Sequence, residues 1–294
     1  MIPAFSPLNV YGNRYIGAMP LFYFVILTAL LVWLVRLKRP SNDRPWRTDF
    51  AELARADFAG ERFTLHNVRN IHYDAPGTPY QGVWETRDYD LDKLKRVWFV
   101  VESFSELEVV AHTLLSFEFE DGQYLAFSAE ARILDGEKYG IVRGLFNNFE
   151  LQYTFGDERD FILRRTNYQD HDVYLYPLTL TPAEGQTMLR DILHEANILL
   201  EQPRFYNSAF CNCTGLLGVH ANHARPGAFA WWRPEQVMPG LSDRLLYGKG
   251  WIDTTLPFER VREVYNVRKV GQQYKDDPEV SEKMREGTAQ YLKT

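Results

Sequence analysis

The sequence predicts an α+β domain, an antiparallel sheet with packed helices, preceded by one N-terminal transmembrane helix. Three stretches predict it. An unbroken apolar run extends from Tyr15 to Val35, long enough to cross a bilayer core. Two alternating runs flank the turn signal Glu120-Asp-Gly-Gln123 and read as a hairpin. A capping box at Thr181-Pro-Ala-Glu184 opens a long helix with core positions at helical spacing.

The 294 residues are 45% hydrophobic and carry a net charge of −6. That is enough apolar content for a large core. The acidic balance argues against a broad nucleic-acid-binding surface. Two cysteines exclude a disulfide-framework protein. The Rossmann fingerprint, the P-loop and the HExxH zinc motif are absent.

In chain order, residues 1–14 form a short N-terminal segment and residues 15–36 the membrane anchor, with Tyr15, Tyr23 and Trp33 placed as interfacial aromatics. A cleaved signal peptide is the competing reading. The length of the run and the lack of a small-residue cleavage site weigh against it. Arg36, Lys38, Arg39, Arg44 and Arg47 follow the run and only Arg14 precedes it, which by the positive-inside rule favours a cytoplasmic body. Residues 37–60 read as a linker, and the globular domain is expected over 61–275. Arg62 to Arg69 and Lys95 to Val101 read as strands. His66 and His72 read as structural or surface histidines.

Val109 to Phe119 and Tyr124 to Arg132 form the hairpin. Leu115, Phe117 and Phe119 share a face with Leu125, Phe127 and Ala129, because a one-residue slip would send one set to the other side. His112, Ser116, Glu118, Ser128 and Glu130 then share the opposite face. In this reading His112 lies opposite Arg132 and diagonal to Glu130, across a three-residue loop with a bulge. Asn147 to Phe155 and Asp160 to Arg165 continue in strand-like alternation, and Val173 to Tyr176 forms another strand. The capping-box helix runs to about Glu201, with His194 on its surface. Trp231, Trp232 and Trp251 serve as aromatic anchors, and residues 276–294 read as a charged, solvated tail.

Both cysteines lie in Tyr206-Asn-Ser-Ala-Phe-Cys-Asn-Cys213-Thr-Gly-Leu-Leu-Gly218, a loop running into a short helix. A thiol at a helix N-terminus is stabilised as the thiolate, which is the nucleophile. Three other uses stay open: a buried hydrophobe, a strained Cys211–Cys213 disulfide, or a metal site with His220 and His223, whose spacing is not the usual zinc pattern. His112 supplies a base and Glu130 a group to orient it.

The order histidine strand, carboxylate strand, Asn-Cys helix start resembles the circularly permuted papain-like (NlpC-type) thiol enzymes. Further runs carry a closer resemblance: Pro40-Ser-Asn-Asp-Arg-Pro-Trp46, His66-Asn-Val-Arg-Asn70, Ala111-His-Thr113 with Ser116-Phe, Asp121-Gly-Gln-Tyr-Leu125, Asp157-Glu-Arg-Asp160, Arg165-Thr-Asn167, Val173-Tyr-Leu-Tyr176 and Asn212-Cys-Thr214. Together, over residues 40–285, they resemble the Lnb N-terminal periplasmic domain family. Cys211 departs from the Asn common at that position.

The resemblance implies a periplasmic body on the bacterial inner membrane, against the charge count. It also implies acyl transfer from a phospholipid to a lipoprotein N-terminus through a Cys213 thioester. Cys213, His112 and Glu130 are the expected catalytic group, with Asn212, Thr214, Asn167 and Arg69 as substrate or oxyanion support. No metal or other cofactor is implied. A thiol hydrolase of cell-wall peptide or amide bonds uses the same triad. A non-catalytic membrane-tethered binding module is the third reading, and it expects Cys213 and His112 too far apart to meet.

Overall fold

The computed structural model describes residues 18–75, 78–79, 83–104, 107, 109–230 and 238–293. It divides into two units, Met1–Pro40 and Ser41–Thr294. In the first, α1 (Ala18–Leu37) is a 20-residue apolar helix. At 1.5 Å per residue that is about 30 Å, the thickness of a bilayer core. Pro20–Leu37 is the one candidate span among the described residues. Arg14 and Tyr15, used above for orientation and anchoring, lie outside them.

The second unit is built on a nine-stranded, mostly antiparallel open sheet. Its strands are β1 (Arg55–Ala59), β2 (Arg62–Arg69), β5 (Trp84–Asp90), β6 (Leu94–Ser103), β7 (Ala111–Phe119), β8 (Tyr124–Arg132), β9 (Phe149–Gly156), β10 (Asp172–Pro177) and β11 (Phe205–Tyr206). The spatial order is β1-β2-β9-β8-β7-β6-β10, with β5 on β2 and β11 on β9. A separate small pair, β3 (Tyr73–Ala75) and β4 (Thr78–Pro79), lies in the loop expected after Asn70. The helices are α2 (Ile141–Gly144), α3 (Pro182–Glu201), α4 (Cys213–Ala224), α5 (Ser242–Gly248), α6 (Phe258–Val264), α7 (Arg268–Gln273) and α8 (Val280–Glu286).

Both faces of the sheet are covered. Leu115, Phe117, Phe119, Leu125, Phe127 and Ala129 pack in the larger core with Leu189, Ile192 and Leu193 of α3 and Leu217 of α4. Trp98, Val100, Leu114 and Ala126 pack on the other side with Phe161, Ile162, Val267, Val280 and Met284. The capping box of α3 is present: Thr181 Oγ1 accepts from Glu184 N, and the Glu184 carboxylate accepts from Thr181 N at 2.9 Å. Trp251 is buried against Phe229, with ring centroids 4.9 Å apart. Trp231 and Trp232 lie outside the described residues.

The hairpin keeps the expected face sharing but not the expected register. Leu115 pairs with Phe127 and Phe117 with Leu125. Continued along the strands, this sets His112 opposite Glu130, two residues from the predicted partner Arg132. The loop has the expected three residues, closed by Gly122 at φ +80° with Phe119 N donating to Gln123 O at 3.0 Å, but the pairing beyond it runs without the expected bulge. Arg132 instead donates to Phe50 O and Ala51 O and lies 4.1 Å from the Trp46 ring.

Three further expectations are corrected. Residues 41–60 belong to the body, since Asp49 and Phe50 are buried and Trp46 bridges to Leu134. Asp160 to Arg165 is not a strand but part of a π-helix, Arg159–Tyr168, whose Phe161 and Ile162 fill the second core. The C-terminal tail is not wholly solvated. Val280 and Met284 enter that core, and buried Arg285 bonds to the Glu158 carboxylate at 2.6 and 3.0 Å.

Candidate functional site

The loop before α4 is fixed by its own backbone. Asn207 and Cys211 exchange N–H···O bonds of 3.0 and 2.9 Å. Asn212 is extended, and its Oδ1 accepts from Gly215 N at 2.9 Å, which is the N-cap of α4. Its Nδ2 donates to Ser208 O at 2.9 Å and ties the cap to the loop. Cys213 is therefore the first helical residue, at the positive end of the helix dipole.

His112 reaches the thiol from β7. Its Nε2 lies 2.7 Å from Ser128 Oγ and 3.3 Å from Glu130 Oε1, both on β8. That leaves Nδ1 for the thiol: His112 and Cys213 line the same cleft, close enough for each to shift the other's pKa. Burial opposes charge on His112, but the Glu130 carboxylate and the Cys213 sulfur outweigh it and push its pKa up to about 10. Burial also disfavours a Cys213 thiolate. His112, with hydrogen bonds from the backbone and side chain of Thr113, outweighs burial and lowers this pKa to about 7. Burial likewise disfavours a Glu130 carboxylate, yet His112 and then Arg165 and Arg69 hold it well below the usual carboxylate range. The arrangement favours a thiolate–imidazolium pair near neutral pH.

A cleft of about 330 Å³ opens over this group. Phe104, Tyr139, Ile141 and Tyr206 give it apolar walls, and Arg47 and Arg164 polar ones. Cys213 itself is only 4% exposed. The binding-module expectation, that Cys213 and His112 do not meet, fails in this geometry.

The family model of the Lnb N-terminal periplasmic domain matches residues 80–238, more than half of the chain and all three of these residues. The chain belongs to that family. Comparison with curated proteins and with solved structures found no match. Family and apolar helix together indicate a membrane-associated protein whose Lnb domain is periplasmic.

The other expected residues of this Lnb domain sit differently. Asn212 lines the cleft as the cap. Thr214 does not line the cleft, but its hydroxyl lies 3.9 Å from Cys213 Sγ and meets Thr113 Oγ1 at 2.9 Å, pinning α4 to β7. It faces a smaller apolar pocket of about 60 Å³ with Phe99, Leu115, Leu217 and Trp251. Arg69 reaches the cleft wall but is committed: it donates to Asp160 at 2.8 and 3.0 Å and to Asp49 O at 3.0 Å. Its contribution is a fixed positive charge near Glu130.

Asn167 is not at the site. Its amide donates to Leu163 O and Gly271 O, each at 3.2 Å, joining the π-helix to α7. The same helix aims Arg165 inward, 3.7 Å from Glu130 and 2.5 Å from Glu102. Glu102 also accepts from His171 Nδ1 at 2.8 Å. Sequence reasoning missed Ser128, Thr113, Arg165, Glu102 and His171 as members of this network. Alternation had put Ser128 on the His112 face, and a search of that face for hydroxyls would have found it.

Cys211 and Cys213 are free thiols, so the disulfide reading is not realised. Burial raises the Cys211 thiol pKa. His220 and His223 cluster with Asp191 and with no cysteine.

Proposed function

We propose that this chain is a membrane-anchored cysteine acyltransferase that moves an acyl chain from a phospholipid to the N-terminal amine of a lipoprotein. The observation that carries it is the placing of His112 and Cys213 in one cleft, with Ser128 and Glu130 holding Nε2 of the ring. The chain order of these residues supports a permuted papain-like arrangement. The body acts on the periplasmic side of the inner membrane, in keeping with the family and against the count of flanking basic residues.

The thiolate attacks the ester carbonyl of the donor. The oxyanion faces the N–H of Cys213, which has no intrahelical acceptor in the first turn. The intermediate collapses, His112 gives its proton to the departing lysophospholipid alkoxide, and a Cys213 thioester remains. The acceptor amine then attacks the thioester. His112 takes the amine proton and returns it to the departing sulfur, releasing the amide. Glu130 keeps the ring oriented through both halves, with His112 neutral in the acyl-enzyme and so free to take the amine proton.

A lipid donor fits the rim. Tyr139 and Ile141 of the cleft wall are exposed, and beside them Val142 is 68% and Phe210 82% exposed. Ser208 joins the two segments, its hydroxyl 3.1 Å from Tyr139 Oη and its N–H bonded to Gly144 O. Apolar side chains concentrated around a cleft mouth suit a membrane surface.

The test is labelling in membranes by a lipid-like ester probe, followed by product analysis with a labelled phospholipid and a diacylglyceryl peptide. Cys213→Ala and His112→Ala are expected to lose the acyl-enzyme, and Cys211→Ala to keep it. Acylated peptide as product supports the transferase. Free fatty acid alone would make the chain a hydrolase, and labelling that survives Cys213→Ala would overturn the thiol mechanism.

A further inference from the structure

Helices α3 and α4 carry a second cluster of chemistry-bearing groups that the acyl-transfer reading does not use. His220 and His223 stand at i and i+3 on α4, so both project from one side of that helix. Asp191 meets them from α3. Its Oδ2 accepts from Nδ1 of His220 and from Nδ1 of His223, each at 2.6 Å. The donor atoms of the three residues all lie within 4.8 Å of one another.

The far side of His220 is also built. His220 is buried, and its Nε2 lies 2.7 Å from the hydroxyl of buried Tyr153 on β9. A metal-bound histidine uses its other ring nitrogen in this way, donating to a fixed oxygen that sets the tautomer and the ring plane. His223 is exposed and opens the cluster to solvent.

We propose that Asp191, His220 and His223 form a binding site for a zinc-class divalent cation, clamping α3 to the helix that presents Cys213. Two imidazoles and one carboxylate are a borderline donor set suited to Zn²⁺, with water completing a tetrahedron. Binding breaks the two Nδ1–H···Oδ2 bonds. Each Nδ1 lone pair goes to the metal, and each imidazole carries its proton on Nε2, where His220 donates it to the Tyr153 hydroxyl. With metal–ligand bonds of about 2.0–2.2 Å in a tetrahedron, each 2.6 Å contact opens by roughly 0.7–1 Å. Exposed His223 and half-buried Asp191 can supply that movement while His220 stays fixed.

The site differs from the one the cysteine spacing raised. The thiols of Cys211 and Cys213 have no part in it.

The experiment uses the full chain in detergent micelles, stripped with a chelator. It is titrated with Zn²⁺ by calorimetry, with thermal unfolding followed in parallel, and with Co²⁺ by visible absorption. The expected result is one Zn²⁺ per chain, with a Tm rise of roughly 5 °C at a hundredfold excess over Kd. Co²⁺ should give tetrahedral nitrogen–oxygen bands without thiolate charge transfer. His223→Ala changes an exposed side chain and is expected to weaken binding at least tenfold, while Cys211→Ser/Cys213→Ser keeps it. No saturable binding, or binding unchanged in His223→Ala, overturns the proposal. Binding lost in the double serine variant would place the metal on the thiols and overturn it as well.

Discussion

Two clusters of buried polar groups share one face of the β7–β8 hairpin, four residues apart along β7. At one end stand His112, Ser128 and Glu130, backed by Arg165 and Glu102. At the other stand Ser116 and Glu118, with Glu158 and Arg285 closing over them. Both combine a hydroxyl, carboxylates and an arginine in a water-poor setting. The second is closed, with Trp98 Nε1 donating to Glu118 at 2.7 Å and the Arg285 guanidinium 4.8 Å and 4.3 Å from the Trp98 and Tyr124 rings. The first has a cleft above it and a thiol opposite it. The materials are alike, so access and a nearby thiol, not burial or charge, set the proposed reaction centre apart from a structural brace.

The sharpest break between the two comes from removing His112, the base of the proposed reaction. His112→Ala is expected to lower acyl-enzyme formation by about 10³-fold or more, with the melting temperature near that of wild type. A comparable loss of labelling in folded Arg285→Ala protein would erase the distinction.

On the structural side, Arg285→Ala strands the Glu158 carboxylate in the core. A cost of about 3–5 kcal/mol is expected in denaturant unfolding. Burial disfavours charge on Glu158, but Arg285 and Ser116 outweigh it and hold its pKa down. A lowered carboxylate pKa stabilises above the ordinary carboxylate range, and that contribution fades as pH falls through the folded value. Acid unfolding of the wild type should therefore begin at lower pH than that of Glu158→Gln.

The third prediction sharpens the active end. Acylation needs a Cys213 thiolate and a His112 imidazolium. Its rate should rise with pH through about 7 and fall again near 10. Glu130→Gln removes the charge that holds the imidazolium, so the acid limb moves up and the basic limb moves down. A rate loss of roughly 10²-fold at neutral pH is expected. An unshifted profile would mean that Glu130 serves packing alone.

The smallest effect is expected at Cys211. With its thiol pKa raised by burial, Cys211→Ala should leave labelling within about twofold of wild type. It should cost on the order of 1 kcal/mol in stability. Loss of labelling would show that the neighbouring thiol takes part.

Alternation made the hairpin readable, because burying Leu115, Phe117, Leu125 and Phe127 on one side forces the polar set to the other. The register was missed by two because the expected bulge is absent and the strands pair straight on from the three-residue loop. The capping box made α3 readable, and the Asn-Cys pair made the start of α4 readable. The π-helix was not, since Asp160 to Arg165 alternates as a strand does and only tertiary packing selects the wider turn. Asn167 was misplaced for the same reason. The tail misled because Val280 and Met284 sit among charges, and the partner that buries Arg285 lies 127 residues earlier. The stretch after the membrane helix misled because its polar composition conceals Trp46 and Phe50.

The bond from Arg285 to Ser116 spans 169 residues, and this gives the domain a clock. A chain delivered N-terminus first places its apolar helix early and its β7–β8 hairpin midway. The lid on that hairpin arrives only with α8, after every strand of the sheet has been made. Until then Glu158 and Ser116 lack their Arg285 partner, and the second core lacks Val280 and Met284. The brace under the hairpin that carries His112 is therefore the last part of the domain to close, well after Cys213 has been delivered.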